Sequence, residues 1–157
     1  MTIEQWGVVA SIVSAITSLI GILFVVVQLR LNNRIAKAQL INELERDISV
    51  HAKTLTQLTI GSDNWTQSKT ALTEEQQIEI LNCISFFERV HEIINTKVLD
   101  IQSIDDIFGG RFFSLYENHK VKDFMETSQM RIHLNSISTL HQKWSQYRRN
   151  KTRRKSK

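Results

Sequence analysis

The sequence predicts an all-α protein: one N-terminal transmembrane helix followed by a compact cytoplasmic helical domain of about four to five helices. Three observations carry that prediction. Residues 5–29, QWGVVASIVSAITSLIGILFVVVQL, form an uncharged run bounded by Glu4 and Arg30. As a helix the run rises roughly 37 Å, enough to cross a hydrocarbon core of about 30 Å with some tilt. Proline is absent and glycine is limited to five residues, fewer turn formers than a β-rich domain of this size needs. Beyond the run, apolar residues recur at steps of three and four, the period of a helix that buries one face. The chain therefore divides into a flank and membrane helix over 1–29, a cytoplasmic helical domain over 30–147 and a basic disordered tail over 148–157.

The first element reads as a retained span rather than a secretory leader. Glu4 precedes the apolar core, no Lys or Arg stands before it, and Leu29, Arg30 and Leu31 follow it instead of a cleavable small-residue pair. Arg30, Arg34 and Lys37 flank its C-terminal end. The positive-inside bias then predicts a bacterial inner-membrane protein with the N-terminus outside and the remainder cytoplasmic. Trp6 fits an anchor at the outer interface. Within the span Gly7, Ser11, Ser14, Ser18 and Gly21 recur at steps of 4, 3, 4 and 3 and share one stripe, which Gln28 continues. Small residues let helices approach closely in lipid, and hydroxyls can bond across the gap. The stripe is thus a candidate self-association seam. Serines bonded back to their own turns, or serines lining a pore, are the other readings.

Residues 30–59 read as one helix leaving the membrane, with Ile41, Leu44, Ile48, Leu55 and Leu58 on one face and His51 among them. GSDN at 61–64 breaks it, and Trp65 to Leu72 is a polar connection. Thr73 and Gln76 then form a capping-box pattern. The following helix, to about Lys97, has Ile80, Ile84, Phe87, His91 and Ile94 inward, with Leu81 and Val90 at the flanks. Ser103 to Asp106 resembles a second cap, opening a helix with Ile104, Ile107, Phe108, Phe112 and Leu115. Gly109-Gly110 inside that pattern conflicts with helix propensity by about 1 kcal/mol per residue; close packing explains the pair better than a hinge. After Asn118 a last helical region runs to about Arg149 through Val121, Phe124, Met125, Ile132, Ile137, Leu140 and Trp144.

Charge is unevenly placed. Residues 148–157 carry seven of the 20 basic groups and no acid, which leaves 13 basic against 16 acidic groups elsewhere, a net −3. The tail residues Arg148, Arg149, Lys151, Arg153, Arg154, Lys155 and Lys157 are candidate anionic-lipid contacts. A solvated end that helps to fix topology is the plain alternative. Thin aromatic interleaving, only Trp144 and Tyr147 upstream, weighs against nucleic acid.

No catalytic, cofactor or metal site emerges. His91-Glu92 lacks the second His four residues on that a zincin helix needs. His119, His133 and His141 have no second ligand at a persuasive spacing. Asp105-Asp106 reads as dipole-favoured carboxylates at a helix start rather than as an acid pair. The single cysteine, Cys83, excludes an internal disulfide and sits in the apolar run ILNCISFF as a small core residue.

The stretch FFERVHEIINTKVLDIQSIDDIFGGRFFSLYENHKV orders an aromatic-Glu helix, a short turn, Asp-hydrophobic-Phe-Gly, an Arg-Phe pair and an Asn-containing exit. A Leu-x-x-x-Trp helix, Leu140 to Trp144, follows. Over roughly residues 78–147 this resembles an uncharacterised bacterial family of membrane-anchored helical proteins, DUF family 4760. The resemblance implies an all-helical cytosolic domain behind one span and carries no activity. It marks Phe87, Glu88, Phe108, Gly109, Arg111 and Phe112 as positions to test, for fold rather than chemistry. The function expected is not enzymatic. It is a membrane-anchored interaction module (adaptor, regulator or accessory protein) that binds a protein partner. The alternative is an oligomerising membrane effector of a bacterial or prophage defence or exclusion system.

Overall fold

Residues 3–59, 71–127 and 131–155 are described by the structure, a computed structural model. All of their regular structure is helical. Helix α1 runs unbroken over Ile3–Val50, α2 over Ala52–Thr59 and α3 over Glu74–Asn95. A short α4, Ile101–Ile104, passes into a π-helical turn at Asp105–Gly109 and then α5, Gly110–Glu117. Helices α6, His119–Met125, and α7, Arg131–Lys155, complete the described chain. The expected break at 61–64 and all but the last two residues of the 65–72 connection lie outside the described residues.

The chain falls into two units, Met1–Leu40 and Ile41–Lys157. In the first, α1 presents its apolar side chains outward: Leu19, Ile20, Ile22, Leu23, Phe24 and Val27 are each more than 60% exposed. Helix α1 is long and apolar enough to cross a membrane.

The second unit builds a core from the end of α1 and the six shorter helices, more pieces than the four or five expected. The extra pieces come from local breaks. The helix expected over 30–59 ends at Val50, with a one-residue turn at His51. The last helical region divides after Met125. Leu44, Ile48, Leu55 and Leu58 of the predicted stripe are buried, as are Ile80, Cys83, Ile84, Phe86, Phe87 and Val90 of α3. Val90, placed at a flank by periodicity, is in fact fully inside. The centre is aromatic: Phe87, Phe108, Phe112 and Trp144 are fully buried, each worth about 2–3 kcal/mol of transfer from water.

Helix ends follow local chemistry. Thr73 Oγ1 accepts from Gln76 N, and the Gln76 side chain accepts from Thr73 N, so the predicted capping box is present. At the other end of α3, Lys97 takes φ 60°. That left-handed residue lets Lys97 N–H donate to Ile94 O and Val98 N–H donate to Ile93 O, satisfying carbonyls the helix leaves open. The second cap differs from expectation. Asp100, not Ser103, opens α4, its Oδ1 accepting from Ser103 N at 2.8 Å and Ser103 Oγ at 2.9 Å. Asp105 is thereby displaced from a helix start into a helical interior.

Candidate functional site

The most organised polar arrangement is built on Asp105. Four residues of α-helix from the Asp100 cap, then the wider π turn, bring its carboxylate inside, where it is 5% exposed. Three side chains of α7 meet it. Trp144 Nε1 donates to Oδ1 at 2.8 Å, Arg148 Nε donates to the same oxygen at 2.7 Å, and Lys151 Nζ donates to Oδ2 at 3.0 Å. Lys151 also reaches Asp106 Oδ1 at 3.3 Å. Residues 144, 148 and 151 stand at i, i+4 and i+7, so one face of α7 supplies all three donors.

Packing holds this clamp in register. The Arg148 guanidinium lies 4.6 Å above the Phe113 ring centroid, within cation–π range. Phe112 stacks on Trp144 at 5.1 Å and 12°. Gly109 makes room: a Cβ there would collide with Arg148 Nη2 and lie 2.8 Å from Asp105 Oδ1. The packing explanation for the glycine pair therefore holds at Gly109. Gly110 has open space around its Cβ position.

Burial alone would push the Asp105 carboxyl up. Hydrogen bonds from Arg148, Trp144 and Lys151 and the Arg148 charge outweigh it and hold the group below the ordinary aspartate range. The same contacts from Asp105 and Asp106 raise Lys151. A carboxylate saturated by donors is a poor proton acceptor, so this geometry ties elements together rather than moving protons.

A second polar chain links α3 to α7. Lys143 Nζ donates to Asn95 Oδ1 at 2.6 Å, which turns the amide so that Asn95 Nδ2 donates to His91 Nε2 at 2.9 Å. His91 must then be neutral and carry its proton on Nδ1. That atom is buried without a hydrogen-bond partner among the described residues. Desolvation and Lys143 lower its pKa. His141, stacked on Tyr116 at 4.1 Å, is lowered chiefly by desolvation.

The remaining predicted positions scatter. Glu88 pairs with His133 at 2.7 Å. Phe87, Phe108 and Phe112 are core, and Phe87 lies 5.0 Å from Phe112. Arg111 is half-buried, with Nη1 unpartnered among the described residues. Cys83 is buried, and desolvation with Glu79 pushes its thiol up to about 12, which leaves it unreactive at neutral pH. No group of three or more His, Cys, Asp or Glu side chains is placed to hold a metal among the described residues. On the seam stripe, Ser11 Oγ donates to Gly7 O and Ser18 Oγ to Ser14 O, both at 2.9 Å. The disordered tail expected from 148 differs from the structure, because α7 continues helically to Lys155 with Arg148 and Lys151 engaged by acids. Those two arginine and lysine side chains belong to the fold, whereas Arg149, Arg153 and Arg154 are exposed.

Fold and site together define an all-α protein with one helix suited to a membrane and a head locked by buried polar pairs. Residues 7–133 match the family described as a domain of unknown function, DUF4760. The chain belongs to that family. The match begins inside the apolar helix and stops near the start of α7, so the Leu140–Trp144 motif that contributed to the resemblance lies beyond it, as do all three donors of the Asp105 clamp. No curated protein and no solved structure matches the chain.

Proposed function

We propose that this chain is a single-pass inner-membrane protein, N-terminus outside, whose cytoplasmic helical head is an interaction module rather than an enzyme. The observation that carries the reading is the outward-facing apolar surface of α1, with Leu23 and Phe24 each 63% exposed. Water would penalise that surface and lipid would not. Arg30, Arg34 and Lys37 beyond it support the orientation. The head's buried titratable groups are engaged in holding helices together, which supports binding over catalysis. A groove lined by Asp47, Val50, His51, Phe86 and Arg89, with Val50 77% exposed, is the surface on which a protein partner would sit.

In cells, the chain should resist alkaline extraction. A reporter fused after Lys155 should be active only if it requires the cytoplasm. A photocrosslinker at Val50 should give one discrete adduct that the same probe at Lys53 does not. Extraction, or periplasmic reporter activity, overturns the topology. Retention with identical products from both probes removes the docking reading.

The Gly7–Gly21 stripe favours a second reading, an oligomerising membrane effector. Its readout is membrane potential, which falls on expression if the effector reading holds.

A further inference from the structure

We infer that the segment of α1 at the end of the apolar run and just beyond it, Gln28 to Gln39, pairs in parallel with the same segment of a second copy of this chain. The inference rests on reading α1 as a membrane span. Helix α1 runs through the segment without a break, and every residue from Gln28 to Gln39 is exposed. At about 100° per residue Gln28, Asn32, Ile35 and Gln39 project within an arc of about 60°. Arg30, Arg34 and Lys37 project within a second arc of about 60° on the opposite side. The first arc is therefore free of charge over roughly 16 Å of helix. Leu31, at its edge, and Ile35, within it, are 56% and 47% exposed. The side-chain amides of Gln28, Asn32 and Gln39 make no hydrogen bond among the described residues. The three cations stand three and four residues apart, spacings that disfavour a helix, and no acid pairs with them among the described residues. A helix this polar, without ion pairs of its own, draws its stability from packing on another surface.

The placement of charge selects the occupant. Copies inserted in one bilayer with one topology carry their α1 helices parallel, so across a two-fold axis each residue of the face meets its own counterpart. Such a face has to be compatible with itself. An amide qualifies, because Asn and Gln both donate and accept and can bond to their own twins. Ile35 qualifies by packing on Ile35. Arginine and lysine do not qualify, and all three cations point away. A partner of unrelated sequence would place no such demand on the arc. Polar residues at the seam of parallel helices fix register and oligomeric state at some cost in stability, which suits a pair already confined by its spans. Gly21 projects about 20° from Gln28, so the arc is continuous with the stripe inside the span.

The test is disulfide crosslinking of the full chain in native membranes, in a Cys83→Ser background with copper phenanthroline as oxidant. Asn32→Cys and Asn33→Cys are the same substitution one residue apart, at nearly the same depth but about 100° apart around the helix. Asn32→Cys and Gln39→Cys should give severalfold more dimer than Asn33→Cys and Lys37→Cys, in a ratio that lower expression leaves unchanged. Adding Ile35→Lys to Asn32→Cys should bring the yield down to the Asn33→Cys level, because two lysines would then face each other. Equal yields at positions 32 and 33, or no effect of Ile35→Lys, overturn the inference. So does an Asn32→Cys adduct with a chain of different mass in place of the dimer, which would reassign the face to another protein. Alkaline extraction of the same membranes separates this inference from the reading beneath it. Release of the chain refutes the span and the inference with it, whereas retention with equal yields refutes the pairing alone.

Discussion

Gly109 and Gly110 are neighbours with the same helical backbone, φ −61° and −59°, yet opposite surroundings. A methyl group at Gly110 meets open space, so Gly110→Ala should raise stability by about 0.5–1 kcal/mol through helix propensity alone. At Gly109 the same methyl evicts Arg148 from Asp105, and the net effect should be a loss of about 1 kcal/mol or more. The two causes separate in a double-mutant cycle. With Arg148→Ala present, Gly109→Ala should lose most of its penalty, read by thermal unfolding of the detergent-solubilised chain. An unchanged penalty would mean that the Arg148 contact does not set it. From sequence the pair was recognisable as a local conflict, because propensity is a local quantity. Which glycine is needed was not, because the colliding group arrives from a residue 39 positions away.

Helix α7 is attached through charge-sensitive contacts, so its docking should depend on pH. His91 and His141 have pKa values below the ordinary histidine value of 6.5. The unfolded chain therefore takes up protons first as pH falls through that value, and stability drops. Asp105 is held below the ordinary 3.8. Its contribution is full above the unfolded value and is lost as pH falls through the folded one. The melting temperature should thus decline in two stages, below about pH 6.5 and again below about pH 4. Replacing His91 by Phe should shrink the upper stage, and Asp105→Asn the lower; a flat profile in the wild type would contradict both. Much of α7 was legible beforehand. Ile137, Leu140 and Trp144 are buried as their spacing implies, and the capping box of α3 is a motif three residues apart. The Asp105 clamp was hidden because its partners lie about forty residues on. A signal did exist: the stripe through Leu140 and Trp144 continues into Arg148 and Lys151, cations on a face that otherwise turns inward. The π turn leaves no comparable mark, since Ser103 to Asp106 reads equally well as a cap.

For the molecule as a whole, the proposed membrane span raises the question of whether α1 would meet lipid alone or a second copy. Ser11 and Ser18 spend their hydroxyl protons on carbonyls one turn back, so neither of these two needs a hydrogen bond to a neighbour. A Cβ at Gly7 or Gly21 would meet nothing within 4 Å beyond the adjacent turns of its own helix, and the stripe is left narrow enough for close helix approach. Disulfide crosslinking in native membranes, with Cys83→Ser as background, should therefore favour Ser14→Cys over Ile12→Cys. Equal yields would leave α1 a plain anchor. Periodicity and composition foretold the all-α class and the apolar helix, because both are written in consecutive residues.

Lys151, Arg148 and Trp144 all follow Asp105 in the chain, Arg148 by 43 residues. At a synthesis rate of about 5–20 residues per second, the acid waits roughly 2–9 s for that arginine to be made. Until then the aspartate that the finished fold buries has no guanidinium to accept from, and the face that will hold it cannot close. A chain cut short before Arg148 would keep that defect permanently and populate open states that cellular proteases recognise. The clamp thus ties closure of that face to synthesis of α7 as far as Lys151.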